Sequence, residues 1–244
     1  MLIKTFGSAV YGINATTITV EVNCDLGTKF YLVGLPDNAV KESQQRLLAA
    51  FKNVGYKMPG KKIVVNMAPA DIRKEGSAYD LTIAMGVLAA SGQVPGENLE
   101  KFLIMGELSL DGSVSPIRGA LPIAIQGKTE GFKGFFLPSE NAREAAIVEG
   151  IDVYGVKNIR EVIGFFSGQG GPEKVVVDIR EEFSRYQEQL DIDFADVKGQ
   201  ENIKRALDAE LYFYSRVFGF SLADSCTKML PLLRKLHWSS GMSK

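Results

Sequence analysis

The chain has 244 residues, of which 45% are hydrophobic and 23% are charged, an ordinary composition for a globular protein. Its formal net charge of −1 excludes a strongly basic nucleic-acid-coating protein and an acidic disordered tail. There is no apolar run of the roughly 18 residues that a membrane span needs and no signal-peptide pattern. Cys24 and Cys226 are far apart, so a reducing cytoplasmic setting without disulfides is expected.

The first two-thirds of the chain alternates strand-like and helix-like segments. Period-two patterns and short apolar runs predict strands at 17–22, 29–35, 62–67, 102–110, 135–138 and 152–156. Helical spacing and capping residues predict helices over about 37–54, 78–90, 119–128, 139–149 and 158–166. Asp111-Gly112 is typical of a tight hairpin turn, which would pair the strand before it with residues 113–117.

The composition changes at Gly168, where a glycine-rich stretch is followed by a polar, helix-prone segment. We therefore place a first domain at residues 1–167 and a linker at 168–190.

Two glycine-rich stretches partly match the pattern of a nucleotide-binding loop. Gly127-Lys128-Thr129 matches the end of a P-loop, but Pro122 stands where the first glycine belongs, and the triplet ends a predicted helix. It is interpreted as a helix C-terminus. In residues 168–174 the lysine has the wrong spacing. The sequence therefore contains no intact P-loop.

Ser77 is the candidate nucleophile, because a serine before a helix can expose its hydroxyl near the positive end of the helix dipole. It needs a base, and the single histidine, His237, lies far away in the sequence. Lys74, three residues before Ser77, is the amine nearest to it in the sequence before the helix. The favoured interpretation is that Ser77 caps the helix.

Two carboxylates have two interpretations each. Glu107 lies in a strand pattern and either faces solvent or points inward toward a partner. Asp80 lies on an otherwise apolar helix. It either complements the dipole in the first turn, which is the favoured interpretation, or acts as a buried hydrogen-bonding anchor.

Four long segments together resemble one family. They cover residues 33–56 (VGLPDNAVKESQQRLLAAFKNVGY), 63–90, 106–125 and 135–146. They resemble the N-terminal domain of the Mg-chelatase-like ATPases, the YifB/ComM group of bacterial competence proteins. The resemblance implies a Lon-protease-like α/β fold of the ribosomal protein S5 domain 2-like class.

The resemblance extends to about residue 207, because DFADVKGQENIKRAL (193–207) is similar to the entry of the family's AAA+ module. We therefore assign residues 191–207 to the start of that module. Residues 208–244 depart from the family pattern and hold neither a P-loop nor a Walker B strand. They are expected to be a divergent, frameshifted or truncated tail that is poorly ordered or packs only loosely.

The resemblance to Lon also covers the catalytic motif. KEGSAYD (74–80) is similar to Lon's K-D-G-P-S-A-G without its proline, which places Ser77 at the nucleophile position. Lon's partner lysine follows a P-I-G-G-L stretch, and the similar segment here is PIRGALP (116–122). Leu121 lies close to the position of the lost lysine, and a leucine cannot accept a proton. Lys128, the nearest substitute on the same helix, lies about two turns further on.

The resemblance implies a non-catalytic Lon-like assembly or interaction domain, with no cofactor or metal of its own. The intact family member is expected to be a hexameric AAA+ ATPase that uses ATP and Mg²⁺ and acts on DNA as a branch-migration helicase in natural transformation. Expected partners are further copies of the chain in a ring, and DNA through the full assembly. The alternatives are a Lon-type serine peptidase using Ser77 and an ATP-binding protein.

Overall fold

The computed structural model describes residues 2–177. The strands are β1 (Leu2–Tyr11), β2 (Asn14–Asp25), β3 (Phe30–Val33), β4 (Lys62–Ala68), β5 (Phe102–Ile104), β6 (Glu107–Leu108), β7 (Val114–Ser115), β8 (Gly134–Pro138) and β9 (Asp152–Val156). The helices are α1 (Asn38–Lys41), α2 (Ser43–Val54), α3 (Asp80–Ala90), α4 (Ala120–Thr129), α5 (Ser139–Ala145) and α6 (Ile159–Phe166).

Seven strands form one mixed sheet in the order β3-β4-β2-β1-β5-β8-β9. The β1–β2 and β2–β4 pairs are antiparallel, and the other four neighbouring pairs are parallel. Strands β6 and β7 form a separate two-stranded hairpin. Helices connect the parallel strands, as such crossovers require. The fold is therefore α/β with a mainly parallel sheet, and the predicted fold class is confirmed.

Helix α3 forms the centre of the core. All eleven of its residues are buried, and it packs against β1 and β2. Its apolar residues surround the helix on all sides, as expected of a helix enclosed by other elements. Helix α2 instead buries one stripe, which includes Leu47, Phe51 and Val54, and it ends at Gly55 in the left-handed conformation.

Most predicted elements are present, and the differences have local causes. Strand β1 was not predicted, and the predicted strand 102–110 is divided at Gly106 into β5 and β6. The Gly106 N–H donates to the Ala78 carbonyl at 2.8 Å, and the Gly106 carbonyl accepts from the Leu81 N–H at 3.0 Å. The backbone therefore leaves the sheet to bond with the residues around the start of α3, which brings β6 beside that helix.

The chain continues to pack on the domain after α6. The Val175 N–H donates to the Val153 carbonyl at 2.8 Å, and Lys174 forms an ion pair with Asp152. The compact unit ends at Val176, so the predicted boundary at residue 167 lies within it. The predicted AAA+ entry at 191–207 and the tail at 208–244 lie outside the described residues. No helix within residues 2–177 is long and apolar enough to cross a membrane.

Candidate functional site

The loop between β4 and α3 carries Ser77, and backbone hydrogen bonds attach it to the segment after β3. The Lys74 N–H donates to the Leu35 carbonyl at 3.2 Å, and the Asp37 N–H donates to the Lys74 carbonyl at 3.0 Å. The Tyr11 hydroxyl donates to the Arg73 carbonyl at 2.8 Å. The loop is therefore held from both sides before it reaches Ser77.

Asp37 joins this loop to α1. Its Oδ1 accepts the Val40 N–H at 2.8 Å and caps the helix, and its Oδ2 accepts the Gly76 N–H at 3.0 Å. Gly76 has a φ of +80°, a conformation that glycine adopts without a Cβ penalty. One carboxylate thus fixes the helix start and the residue before Ser77.

Replacing Asp37 with alanine is expected to lower the free energy of unfolding by about 1–2 kcal/mol, because a helix cap is lost. The Gly76 amide should also exchange its hydrogen faster. Urea unfolding followed by circular dichroism, with hydrogen exchange, measures both effects. Glu75→Ala is the matched control, since Glu75 and its ion-pair partner Arg73 are both exposed in the same loop and its loss should cost no more than about 0.5 kcal/mol. Equal losses in the two variants would contradict the role of Asp37.

Ser77 donates its hydroxyl hydrogen to Oε2 of Glu107, and both residues are half-buried. Its side chain does not cap α3, so the favoured capping interpretation is wrong. Ser77 contacts the first residue of α3 through its backbone, because its carbonyl accepts the Asp80 N–H at 3.0 Å. The open question about Glu107 is resolved, since it points inward toward a hydroxyl partner.

Lys74 is buried, and its Nζ donates to the Pro69 carbonyl. Burial is the main cause that lowers its pKa, and attraction to Asp71 opposes that shift. A desolvated amine of this kind can act as a base when it faces a hydroxyl. Its hydrogen-bond partner here is a backbone carbonyl, whereas the partner of Ser77 is Glu107.

Leu121 lies half-buried in the first turn of α4. Its backbone N–H donates to Oε1 of Glu144 at 3.4 Å, and its hydrocarbon side chain offers no proton acceptor. Lys128 is exposed in the last turn of the same helix, and His237 lies outside the described residues. Gly127 to Thr129 are the final residues of α4, as expected of a helix C-terminus.

The buried carboxylate of Asp80 forms an ion pair with Arg46, a residue that the sequence pattern did not single out. Arg46 donates from Nε to Oδ2 of Asp80 at 2.6 Å and from its terminal nitrogen to Oδ1 at 3.0 Å. The same nitrogen also donates to the Ala39 carbonyl at 2.7 Å. Asp80 is 1% exposed and accepts the Leu108 N–H at 3.3 Å. Asp80 is therefore the buried anchor, and the favoured dipole interpretation was incomplete.

The arginine was detectable from its position. Arg46 lies three residues after Ser43 and four before Ala50, so it borders the buried face of α2, and its side chain is 19% exposed. A cation that is largely withdrawn from water favours an acidic partner. The neighbouring apolar helix carries one such residue, Asp80.

Within residues 2–177, no group of three or more His, Cys, Asp or Glu side chains is arranged to hold a metal ion.

The fold and the serine motif define a Lon-like α/β domain. A family model described as subunit ChlI of Mg-chelatase matches residues 20–141. The chain therefore belongs to the Mg-chelatase ChlI family.

The chain is similar to competence and YifB proteins and, over a shorter stretch, to a Lon protease. Competence protein ComM of Haemophilus influenzae is 36% identical over 203 residues, which is 83% of this chain and 40% of that protein. YifB of Escherichia coli is 36% identical over 82% of this chain and 38% of its own length. Lon protease 2 of Bacillus subtilis is 30% identical over 50% of this chain and 22% of that protein. The chain thus spans about two-fifths of the length of ComM and YifB.

Proposed function

We propose that residues 2–177 form a non-catalytic Lon-like assembly or interaction domain of a Mg-chelatase-like AAA+ ATPase. The observation that supports this is the pairing of Ser77 with Glu107. A nucleophilic serine is usually activated by an imidazole or a desolvated amine, and a carboxylate is a much weaker base than either. The buried amine of Lys74 donates to Pro69 instead, and Leu121 stands near the position where the resemblance to Lon expects a lysine.

The role of the intact protein is a proposal from the family. ComM is named a competence protein, and we extend this to a hexameric ring in the cytoplasm that migrates DNA branches during natural transformation. ATP and Mg²⁺ belong to that longer form, since residues 1–244 contain no intact P-loop. The domain's part is to hold copies of the chain together or to contact a partner.

A Lon-type serine peptidase is the second candidate. Two observations favour it: Ser77 occupies the nucleophile position of a Lon-like motif, and burial lowers the pKa of Lys74 nearby in the sequence. A rearrangement that turned the Lys74 amine from Pro69 toward Ser77 would create a serine–lysine pair. The two functions therefore differ in one measurable property, the reactivity of the Ser77 hydroxyl.

A casein and peptide cleavage assay on the 244-residue chain separates the two. We expect no turnover that Ser77→Ala removes, whereas the peptidase requires turnover in the unsubstituted chain that Ser77→Ala abolishes.

A fluorescent-nucleotide titration tests the ATP-binding alternative, which requires saturable binding at micromolar concentration. Light scattering after size exclusion measures self-association, and a monomer at all concentrations would contradict the assembly role.

A further inference from the structure

The charge of the domain is unevenly distributed. The whole chain has a formal net charge of −1, whereas residues 29–66 contain seven Lys and Arg and only two Asp and Glu, a net charge of +5. One of those seven, Arg46, is neutralised by Asp80. The remaining six are lysines, and all of them are exposed.

Five of these lysines lie at one end of the β3-α1-α2-β4 unit. Because β3 and β4 are parallel, the helical connection must return the chain to the end where β4 begins. Lys52 is in the last turn of α2, and the other four lie just before β3, in the loop after α2 or at the start of β4. We call this group the basic edge: Lys29, Lys52, Lys57, Lys61 and Lys62.

Backbone contacts bring the two strand starts together. The Ile63 N–H donates to the Lys29 carbonyl at 2.8 Å, so Lys29 lies beside Lys62. Among the described residues, no salt bridge neutralises a lysine of the basic edge. The acid nearest in the ladder is Asp25, which is exposed opposite Lys62 and accepts the Leu26 N–H at 2.8 Å. Cations therefore outnumber acids where β3 and β4 begin.

An exposed aromatic ring lies within this group of charges. Tyr31 is on β3, the outermost strand of the sheet, and is 43% exposed. The Lys62 Nζ lies 5.7 Å from the centre of its ring. Val33, two residues along the strand and 46% exposed, extends the apolar surface on the same face.

We propose that the basic edge and Tyr31 bind single-stranded nucleic acid. The lysines would contact successive phosphates, and the Tyr31 ring would stack on a base, a combination typical of sequence-independent single-strand binding. Unpaired bases are favoured over a duplex because a stacked base must expose its face. Single-strand binding at this surface would specify the DNA contact of the proposed function, and it rests on that function for its biological setting. The binding itself does not require peptidase activity.

The test is fluorescence anisotropy of a labelled oligo(dT) of about 20 nucleotides, titrated with the 244-residue chain at several salt concentrations. Replacing Lys29, Lys61 and Lys62 together with glutamine should weaken binding about tenfold and flatten the slope of log affinity against log salt by about 2. The matched control replaces Lys128, Lys133 and Lys157, three exposed lysines elsewhere, with glutamine. This control has the same net charge as the basic-edge variant, but it should bind oligo(dT) like the unsubstituted chain.

Tyr31 tests the stacking half of the proposal. Tyr31→Ala should weaken oligo(dT) binding about tenfold, and Tyr31→Phe should retain it within about twofold. Neither change should alter binding of inorganic polyphosphate, which has charge but no bases. The proposal would be overturned if Tyr31→Ala weakened the binding of oligo(dT) and of polyphosphate equally, or if the chain did not bind oligo(dT) at all. It would also be overturned if the lysine control lost as much affinity as the basic-edge variant, or if the chain bound phosphatidylglycerol vesicles in preference to oligo(dT).

The same variants keep this inference separate from the proposed function. The glutamine and Tyr31 variants should leave self-association and casein turnover unchanged, because their substituted residues lie outside the Ser77 loop and its contacts. Loss of oligo(dT) binding with unchanged self-association supports the nucleic-acid surface. Detection of Ser77-dependent turnover would contradict the non-catalytic role without affecting the binding result.

Discussion

Replacing Arg46 with alanine is expected to lower the free energy of unfolding by about 3–5 kcal/mol at neutral pH, the range seen when one partner of a buried ion pair is removed. Asp80, 1% exposed, would stay buried without the two bonds from Arg46. Asp80 also accepts the Leu108 N–H, so the loss would reach β6 and Glu107. Urea unfolding followed by far-ultraviolet circular dichroism measures the change, because the single tryptophan, Trp238, lies outside the described residues.

Two matched variants separate charge from packing. Arg46→Lys keeps the charge without the planar two-bond geometry and should lie between the unsubstituted chain and Arg46→Ala. Arg46→Met combined with Asp80→Leu removes both charges and should recover most of the loss. A loss below about 1 kcal/mol in Arg46→Ala would show that the pair does not stabilise the fold.

The loss should depend on pH. Burial is the main cause that raises the pKa of Asp80 above its ordinary value, and its hydrogen bonds with Arg46 oppose the rise. The folded chain therefore holds this proton more tightly than the unfolded chain. The contribution favours folding below the unfolded-state pKa and is lost as pH rises through the folded-state pKa. Removing Arg46 should raise the pKa further, so the difference in unfolding free energy between variant and unsubstituted chain should shrink as pH falls from neutral toward the ordinary pKa of aspartate.

Replacing Gly34 with alanine is expected to cost about 3 kcal/mol or more, from the combined effects of overpacking and left-handed strain. Gly34 follows β3 with a φ of +100°, and an added Cβ would lie 2.1 Å from the Met67 carbonyl oxygen. The obstacle is backbone of β4, which cannot rotate away. The next residue, Leu35, accepts the Lys74 N–H, so the change should also loosen the Ser77 loop.

Gly55→Ala is the matched control for Gly34→Ala. Gly55 has a φ of +90°, but nothing lies within 4 Å of an added Cβ. It should cost only the conformational strain, about 1–2 kcal/mol. Similar losses at the two positions, measured by urea unfolding, would contradict the close approach of β3 and β4.

Local patterns predicted most of the fold. Strands β2 and β4 and helices α3 and α6 follow from periodicity, because each buries a regular face or its whole surface. The break at Gly106 was not predictable, since the strand pattern continues through it while its backbone bonds are made to residues around the start of α3.

The site was predictable in its residues but not in its contacts. The motif identified Ser77, and the strand pattern identified Glu107, but their pairing joins residues thirty positions apart. Local reasoning favoured a helix cap for Ser77 because capping is the commonest use of a serine at that position. The pairing of Arg46 with Asp80 is indicated by their positions, since Arg46 borders the buried stripe of α2 and Asp80 is the one charged residue of the buried helix α3.

The reactivity of Ser77 is the most direct test of the non-catalytic role. The 244-residue chain and its Ser77→Ala variant are incubated with a fluorophosphonate that labels activated serines, beside a known serine peptidase, and their intact masses are measured. We predict labelling of the peptidase and no adduct on either form of this chain, because the Ser77 hydroxyl donates to Glu107 and has no paired amine. An adduct on the unsubstituted chain that Ser77→Ala abolishes would show an activated nucleophile and contradict that account.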